Sequence, residues 1–398
     1  MKSMISVDEA IACLLAHPLQ PQTEQVSLSA ALGKRLAVDL CAKVSQPPLT
    51  VSAMDGYAVK LEDVKKPQQT LKIIGEVPAG KPYDGTVRSG EAVRIFTGGA
   101  LPQGTDHIVI QEDVTRHDQS ITCHHAYERA QAVRPAGLDF HLNDVVLEQG
   151  RVIDPSAIAI AAAANHDCLT IDKPIRVGIL ANGNELQMPG SLLSPGEIVS
   201  SSPMGLAALI QNWGGKAVDL GIARDDLQSI LDHLNANDDI DLYLPIGGAS
   251  VGDYDYMHNA FDHMGFEPVF RKVAVKPGKP TWFSKKNKQY VLGLPGNPAS
   301  SFVCAHLFLS VCLGHSWHRL LKQAILIDPL QKNGPREQFL RAAAVINDKG
   351  QLTVAPYKNQ DSSLLHPFRD CNALIRREGN AAAKAKGDLV SIFLIGPL

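Results

Sequence analysis

From Lys173 onward the chain repeats one pattern, an apolar strand, a loop and an amphipathic helix. Ile175 to Leu180, a helix from about Pro203, Lys216 to Ile222, a helix from Asp225, Asp241 to Ile246 and a helix over Tyr256 to His263 follow in that order. Parallel strands cannot be joined by tight turns and need a crossover, so this alternation predicts a parallel, doubly wound α/β sheet. Ligands of such sheets sit beyond the carboxyl ends of the strands, which directs attention to the loops that follow them.

The 398 residues exceed one ordinary core, so further domains are expected. Ser6-Val7-Asp8-Glu9 has capping-box spacing ahead of Ile11, Leu14 and Leu15, and predicts a helix at the start. After Cys41, Gln46-Pro47-Pro48 breaks that texture. Short strands between Gly and Pro turns, clearest at Leu71 to Ile74, Ala92 to Ile95 and His107 to Ile110, indicate a mainly β insertion reaching about residue 135. Asp154-Pro155 opens an alanine-rich helix, so the first helical region resumes and one domain is discontinuous. Beyond Lys322 short strands return at Leu352 to Ala355, Ala373 to Arg376 and Leu389 to Leu394, a small terminal β domain without a chemical motif.

Composition narrows the partners. A net charge of −3, from 38 basic and 41 acidic residues, offers no global field for nucleic acid or an anionic membrane, so an anionic ligand needs a local site. The start of the chain has no signal-peptide pattern, and its longest apolar run, Ala157 to Ala164, is too short to span a bilayer; a cytoplasmic protein is expected. The seven cysteines are dispersed and never spaced for zinc, and read as reduced packing residues. His124-His125 beside Cys123 reads as a loop or hairpin in preference to a metal site.

Three loops carry unusual residues. The strand ending at Ile246 runs into Gly247-Gly248-Ala249-Ser250-Val251-Gly252-Asp253-Tyr254-Asp255, where glycines let backbone amides approach an anion ahead of a helix. Turn geometry alone accounts equally well for the glycines, but carboxylates beside an anion cradle call for a cation or a proton. Lys276-Pro277-Gly278-Lys279-Pro280, with Lys272 one alternation earlier, could clamp phosphate or another oxyanion, or form a solvated basic turn. Gly293-Leu294-Pro295-Gly296-Asn297-Pro298 joins a buried strand to a helix, and by itself is only a connection. Ser52-Ala53-Met54-Asp55-Gly56-Tyr57 and Arg94-Ile95-Phe96-Thr97-Gly98-Gly99 would each pass for turns.

Taken in chain order, from Asp55-Gly56-Tyr57 and Thr97-Gly98-Gly99 to the Gly247, Lys276 and Gly293 loops, these five motifs, spread over essentially the whole chain, resemble the MoeA family of molybdopterin molybdenumtransferases, to which the gephyrin E domain also belongs. The resemblance implies four domains: a discontinuous helical one (1–44 and 140–172), a β insertion (45–139), a molybdopterin-binding α/β domain (173–322) and a C-terminal β barrel (323–398). It implies a homodimer in which Asp55 and Thr97 of one subunit, with Asp139 nearby, complete a site made of Glu185, Asp225, Asp255, Lys272 and Lys276 of the other. Gly247, Gly248, Ser250, Gly252, Lys279, Pro295, Asn297 and Pro298 would contact the substrate.

The implied reaction moves molybdenum from molybdate to adenylyl-molybdopterin with release of AMP. Lys272 and Lys276 would neutralise the two anions, and Glu185, Asp225 and Asp255 would hold Mg2+, activate the adenylate or donate protons. Transient partners would be a molybdopterin adenylyltransferase and the receiving molybdoenzymes or their chaperones. Two departures stand out: Asn182-Gly183-Asn184-Glu185 where the family commonly has Thr-Gly-Asp-Glu, and Ser200-Ser201-Ser202 where it often has Asp-Thr-Asn or Ser-Ser-Asn. These departures make a weakened pterin-binding homologue one competing reading; the kinship with gephyrin, which binds partner proteins, makes a scaffold the other.

Overall fold

A computed structural model of the chain describes residues 4–237, 239–248, 256–315, 317 and 320–398, and divides into two units, Met1–Gln22 with Lys173–Leu398, and Thr23–Asp172. In the first, the alternation after Lys173 becomes strands Arg176–Asn182 (β1), Lys216–Ala223 (β2), Leu242–Ile246 (β3), Glu267–Phe270 (β4), Trp282–Lys286 (β5) and Gln289–Gly293 (β6). They lie in the order β2-β1-β3-β6-β5-β4. β2, β1, β3 and β6 are mutually parallel, while β5 runs antiparallel to β6 and β4. The sheet is therefore mixed, because β5 and β6 form a hairpin with no room for a crossover helix.

Alternation along the strands separates two cores. Val177, Ile179, Leu242, Leu244 and Ile246 pack with helix Ser202–Asn212 and the helix beginning Pro298–Cys304. Leu180, Leu220 and Tyr243 pack with helices Leu227–Asn235 and Tyr256–His263 on the other side. The opening helix Val7–Leu15 has the expected reciprocal capping box, Glu9 N donating to Ser6 Oγ at 3.1 Å and Ser6 N to Glu9 Oε2 at 2.8 Å. It buries Val7, Ile11 and Leu14 in the first of these cores, about 2 kcal/mol for each side chain. The sequence groups this helix with residues 140–172; its apolar stripe requires a partner without specifying which.

Lys322–Leu326 (β7), Glu337–Ile346 (β8), Leu352–Pro356 (β9), Ala373–Arg377 (β10) and Leu389–Leu394 (β11) close into a barrel, β8-β9-β7-β11-β10 returning to β8. Leu340, Ala342, Val354, Ile375 and Ile392 fill it. Phe339, Leu374 and Phe393, on the other face, join the α/β core. A two-residue strand, Val275–Lys276, runs parallel to β8, with Val275 opposite Glu337 and Lys276 opposite Gln338. The lysine loop is thus built onto the barrel.

In the second unit a six-stranded sheet runs in the spatial order His107–Ile110, Gly56–Val59, Glu91–Ile95, Thr70–Val77, Ser120–Cys123, Val114–His117. Thr23–Ser27 pairs antiparallel with Cys168–Asp172 beside helix Pro155–Ala163, which Asp154 caps by accepting Ala157 N at 2.7 Å. Among the described residues no helix is long and apolar enough to cross a membrane. All seven cysteines are free.

Candidate functional site

The carboxyl ends of β1, β2 and β3 converge on a cleft of about 970 Å3. Glu185, Asp225, Gly247, Gly248, Pro295, Asn297 and Pro298 line it, together with Ser200 to Ser202. Three chain-distant motifs therefore meet, as expected for a doubly wound sheet. Ser250, Gly252 and Asp255, with Asp253, lie outside the described residues.

The two asparagines of the first loop have defined tasks. Asn182, buried at 7% exposure, donates through Nδ2 to the carbonyls of Ala223 (3.3 Å) and Arg224 (2.9 Å), tying the end of β1 to the end of β2. Its Oδ1 occupies the place a β-carbon on Gly248 would need, which adds a steric reason for glycine there. Asn184 and Asp225 pair reciprocally: Asn184 N donates to Asp225 Oδ2 and Asp225 N to Asn184 Oδ1, both at 3.2 Å. The next residue, Asp226, caps the following helix by accepting Ser229 N at 2.7 Å, which leaves Asp225 outside the helix and facing the cleft. Asn184 thus supplies loop geometry in place of the charge that the family's usual Asp would bring.

Gly247 and Gly248 adopt φ of +85° and +68°, a region that favours glycine. Gly247 N donates to Leu294 O at 3.1 Å, so this amide builds the contact between two loops and is not an open anion donor. Gly296 completes that contact: a β-carbon on it would stand 3.4 Å from the Gly247 Cα.

A second recess, about 560 Å3, adjoins the cleft and shares Pro280, Pro295 and Asn297 with it. Lys276 and Lys279 line it with Arg336, Ser300, Asn359, Gln360 and Ser362. The lysines are held by the pairing of Val275–Lys276 with β8 and by Val273 N donating to Lys279 O at 3.1 Å. Asn297 Nδ2 donates to Ser362 Oγ at 2.9 Å, and Ala299 N to Ser362 O at 3.0 Å, so a barrel loop caps the amide of Ala299. Two lysines and Arg336 outnumber the one carboxylate of this lining, Asp361, whose Oδ1 accepts from Ser363 N and Oγ, and with the hydroxyls and amides they suit a small oxyanion. The side chain of Lys272 lines neither recess; its carbonyl accepts Ile5 N at 3.1 Å.

Local reading missed Arg336, Ser362 and Asn182. The first two belong to a domain without a recognisable motif: the strand pairing at Lys276 delivers Arg336, and the bonds from Asn297 and Ala299 hold Ser362. Asn182 stood in plain view as a departure from the family loop, but its partners are carbonyls of another strand.

In the other unit Asp55 and Thr97 form one structure. Asp55 Oδ1 accepts Thr97 N at 2.7 Å and Thr97 Oγ1 at 2.8 Å. The backbone donor first and the hydroxyl second hold the Asp55 carboxyl below the usual carboxylate range, and Arg94 adds to this. Arg94 lies 5.0 Å from the ring centres of both Tyr57 and Phe96, and donates to Gly56 O at 3.3 Å and Gln111 Oε1 at 2.6 Å. Asp139 is separate, exposed on a recess of about 620 Å3 that also contains Gly98, Lys81 and Arg134. Among the described residues no three His, Cys, Asp or Glu side chains gather as a metal cage. Glu185 and Asp225 nevertheless give the cleft two hard oxygen ligands, a donor set suited to Mg2+, which keeps several waters and takes others of its ligands from phosphates.

The chain matches three family descriptions along its length: "MoeA N-terminal region (domain I and II)" over residues 5–165, "Probable molybdopterin binding domain" over 178–315 and "MoeA C-terminal region (domain IV)" over 323–395. A molybdopterin molybdenumtransferase of Haemophilus influenzae is 32% identical, covering 98% of each chain. One of Staphylococcus aureus is 28% identical over 99% of this chain and 96% of its own. A crystal structure of a molybdopterin biosynthesis MoeA protein from Pyrococcus horikoshii superposes with a TM-score of 0.87 at 25% identity, over 99% of this chain and 100% of that one. With the cleft at the strand ends and all three regions in order, this chain belongs to the MoeA family of molybdopterin molybdenumtransferases.

Proposed function

We propose that the chain inserts molybdenum from molybdate into adenylyl-molybdopterin and releases AMP. The observation that carries this reading is the adjacency of two differently equipped recesses. One has Glu185, Asp225 and the Gly247–Gly248 turn and is roomy enough for a pterin nucleotide; the other has Lys276, Lys279 and Arg336 and suits a tetrahedral dianion. Their shared wall of Pro280, Pro295 and Asn297 lets the dithiolene of one ligand meet the metal of the other.

Lys276, Lys279 and Arg336 screen the repulsion between two anions, so that approach costs less than it would in water. Each oxide displaced from molybdate by a sulfur leaves as water and must receive two protons, from the thiol, the solvent or a carboxylic acid. Glu185 and Asp225 stand where they can pass such protons or orient the phosphates. The same two carboxylates would hold Mg2+, whose contribution when bound is to neutralise phosphate charge.

The functional unit in this reading is a homodimer in the cytoplasm. Asp55 and Thr97, fixed to each other, and Asp139 would face the cleft of a second copy. AMP release from adenylyl-molybdopterin on addition of molybdate tests the proposal. Lys276→Ala should raise the molybdate requirement and make it more salt-sensitive, whereas Asp225→Asn should retain pterin-adenylate binding and lose most turnover. Absence of molybdate-dependent AMP release from the unaltered protein would refute it.

A further inference from the structure

The segment between β9 and β10 forms walls of both recesses, through Asn359, Gln360 and Ser362 in one and Ser363 in the other. A buried cation holds it. Arg341, on β8, is 2% exposed. Its Nη1 donates to Leu364 O at 2.6 Å, and its Nη2 to Asp361 O at 2.8 Å and, at the long limit, to Asn359 O at 3.5 Å. Gln360 completes the grip: its Oε1 accepts Arg341 N at 3.0 Å, and its Nε2 donates to Arg341 O and Tyr357 O, both at 2.9 Å.

The Asp361 carboxylate interacts with Arg341 through space, but among the described residues no carboxylate oxygen stands within ion-pair distance of the guanidinium, whose hydrogen bonds all go to carbonyls. A buried guanidinium satisfied by carbonyls is a poor route to stability, since an apolar side chain of similar volume commonly does as well. Its planar fork does something an apolar side chain cannot, which is to fix several carbonyls of one loop at set positions. That loop then reaches the site. Ser362 accepts from Asn297 Nδ2 and Ala299 N, and the same strand β8 pairs with Val275–Lys276.

We propose that Arg341 is a positioning residue for oxyanion capture: it holds Asn359 and Ser362 in register with Lys276 and Lys279, so that the recess accepts a tetrahedral dianion without reorganising. This rests on the molybdate-insertion reading above. The C-terminal barrel then takes part in substrate binding through the outer face of β8, the face that Arg341 shares with Phe339.

Arg341→Lys keeps the charge and loses the fork, and Arg341→Met replaces the ion by an apolar chain. In both, the molybdate concentration for half-maximal AMP release should rise about tenfold, the loss expected for charge-assisted hydrogen bonds that fix a ligand wall. kcat and the Kd for adenylyl-molybdopterin should stay within about twofold. Gln360→Ala, which frees the same loop without disturbing the buried ion, should raise the molybdate requirement in the same direction and decides alone if neither Arg341 variant folds. A normal molybdate requirement in a folded variant, or equal losses for molybdate and pterin adenylate, overturns the proposal. Should the unaltered protein release no AMP, the functional reading fails by itself. Calorimetric titration with molybdate alone then still judges the positioning role, and equal affinities of the unaltered protein and Gln360→Ala would end it.

Discussion

Gly278 lies between Lys276 and Lys279 at φ +117°, and a β-carbon there would collide with Cys304 Sγ. Two costs follow for Gly278→Ala. A non-glycine residue in that backbone region costs about 1–3 kcal/mol, and the overlap with a packed sulfur costs about 1–3 kcal/mol more. The total expected destabilisation is about 2–6 kcal/mol. Only the second cost depends on Cys304. Cys304→Ala alone should cost about 1 kcal/mol, since it empties a buried site and removes the sulfur that Thr281 Oγ1 approaches at 3.3 Å. The double variant should therefore be more stable than the sum of the singles predicts, by about 1–3 kcal/mol. Urea denaturation of the four proteins measures this. The molybdate requirement should follow: raised in Gly278→Ala because the lysines shift, and partly restored when Cys304 is also Ala. Additivity within about 0.5 kcal/mol would show that the sulfur does not set the path of this loop.

Burial pushes the His306 imidazole from its ordinary 6.5 down to about 4, so the fold prefers the neutral ring. Its contribution is complete above pH 6.5 and is lost as pH falls through about 4, roughly 3 kcal/mol in all; His306→Gln should flatten this part of the stability profile, read as urea midpoints between pH 7 and pH 4. Asn184→Asp keeps an oxygen for Asp225 N and adds a charge beside Asp225. Half-maximal turnover should then need less Mg2+, and an unchanged Mg2+ dependence in a folded variant would remove this position from any metal site. Asp55→Ala and Asp225→Ala subunits, inactive apart, should recover part of their activity when mixed, and inactive mixed dimers would count against a site shared between copies.

Much of the candidate site was legible because each motif is local. Glycines at Gly247 and Gly248, prolines at Pro295 and Pro298 and acids at Glu185 and Asp225 follow strands whose ends the alternation predicts, and doubly wound strands bring such ends together. Roles were less legible than positions. The Gly247 amide was expected to face an anion and instead donates to Leu294 O, because only the folded sheet sets that loop beside the next one. Lys272 looked equivalent to Lys276 by alternation, yet it lines neither recess.

The sequence by itself determined the elements and their order. Periodicity, the Ser6 and Asp154 caps and the proline breaks act over a few residues, and the helix Tyr256–His263 and the strand Leu389–Leu394 fall where those signals put them. Only the tertiary structure decided which distant backbones meet. The packing of the first helix on the α/β core and the pairing of Val275–Lys276 with β8 join segments far apart in the chain. Buried polar groups take whatever partners the finished packing offers, so Arg341 could be read as an arginine but not as the grip on the loop from Asn359 to Leu364.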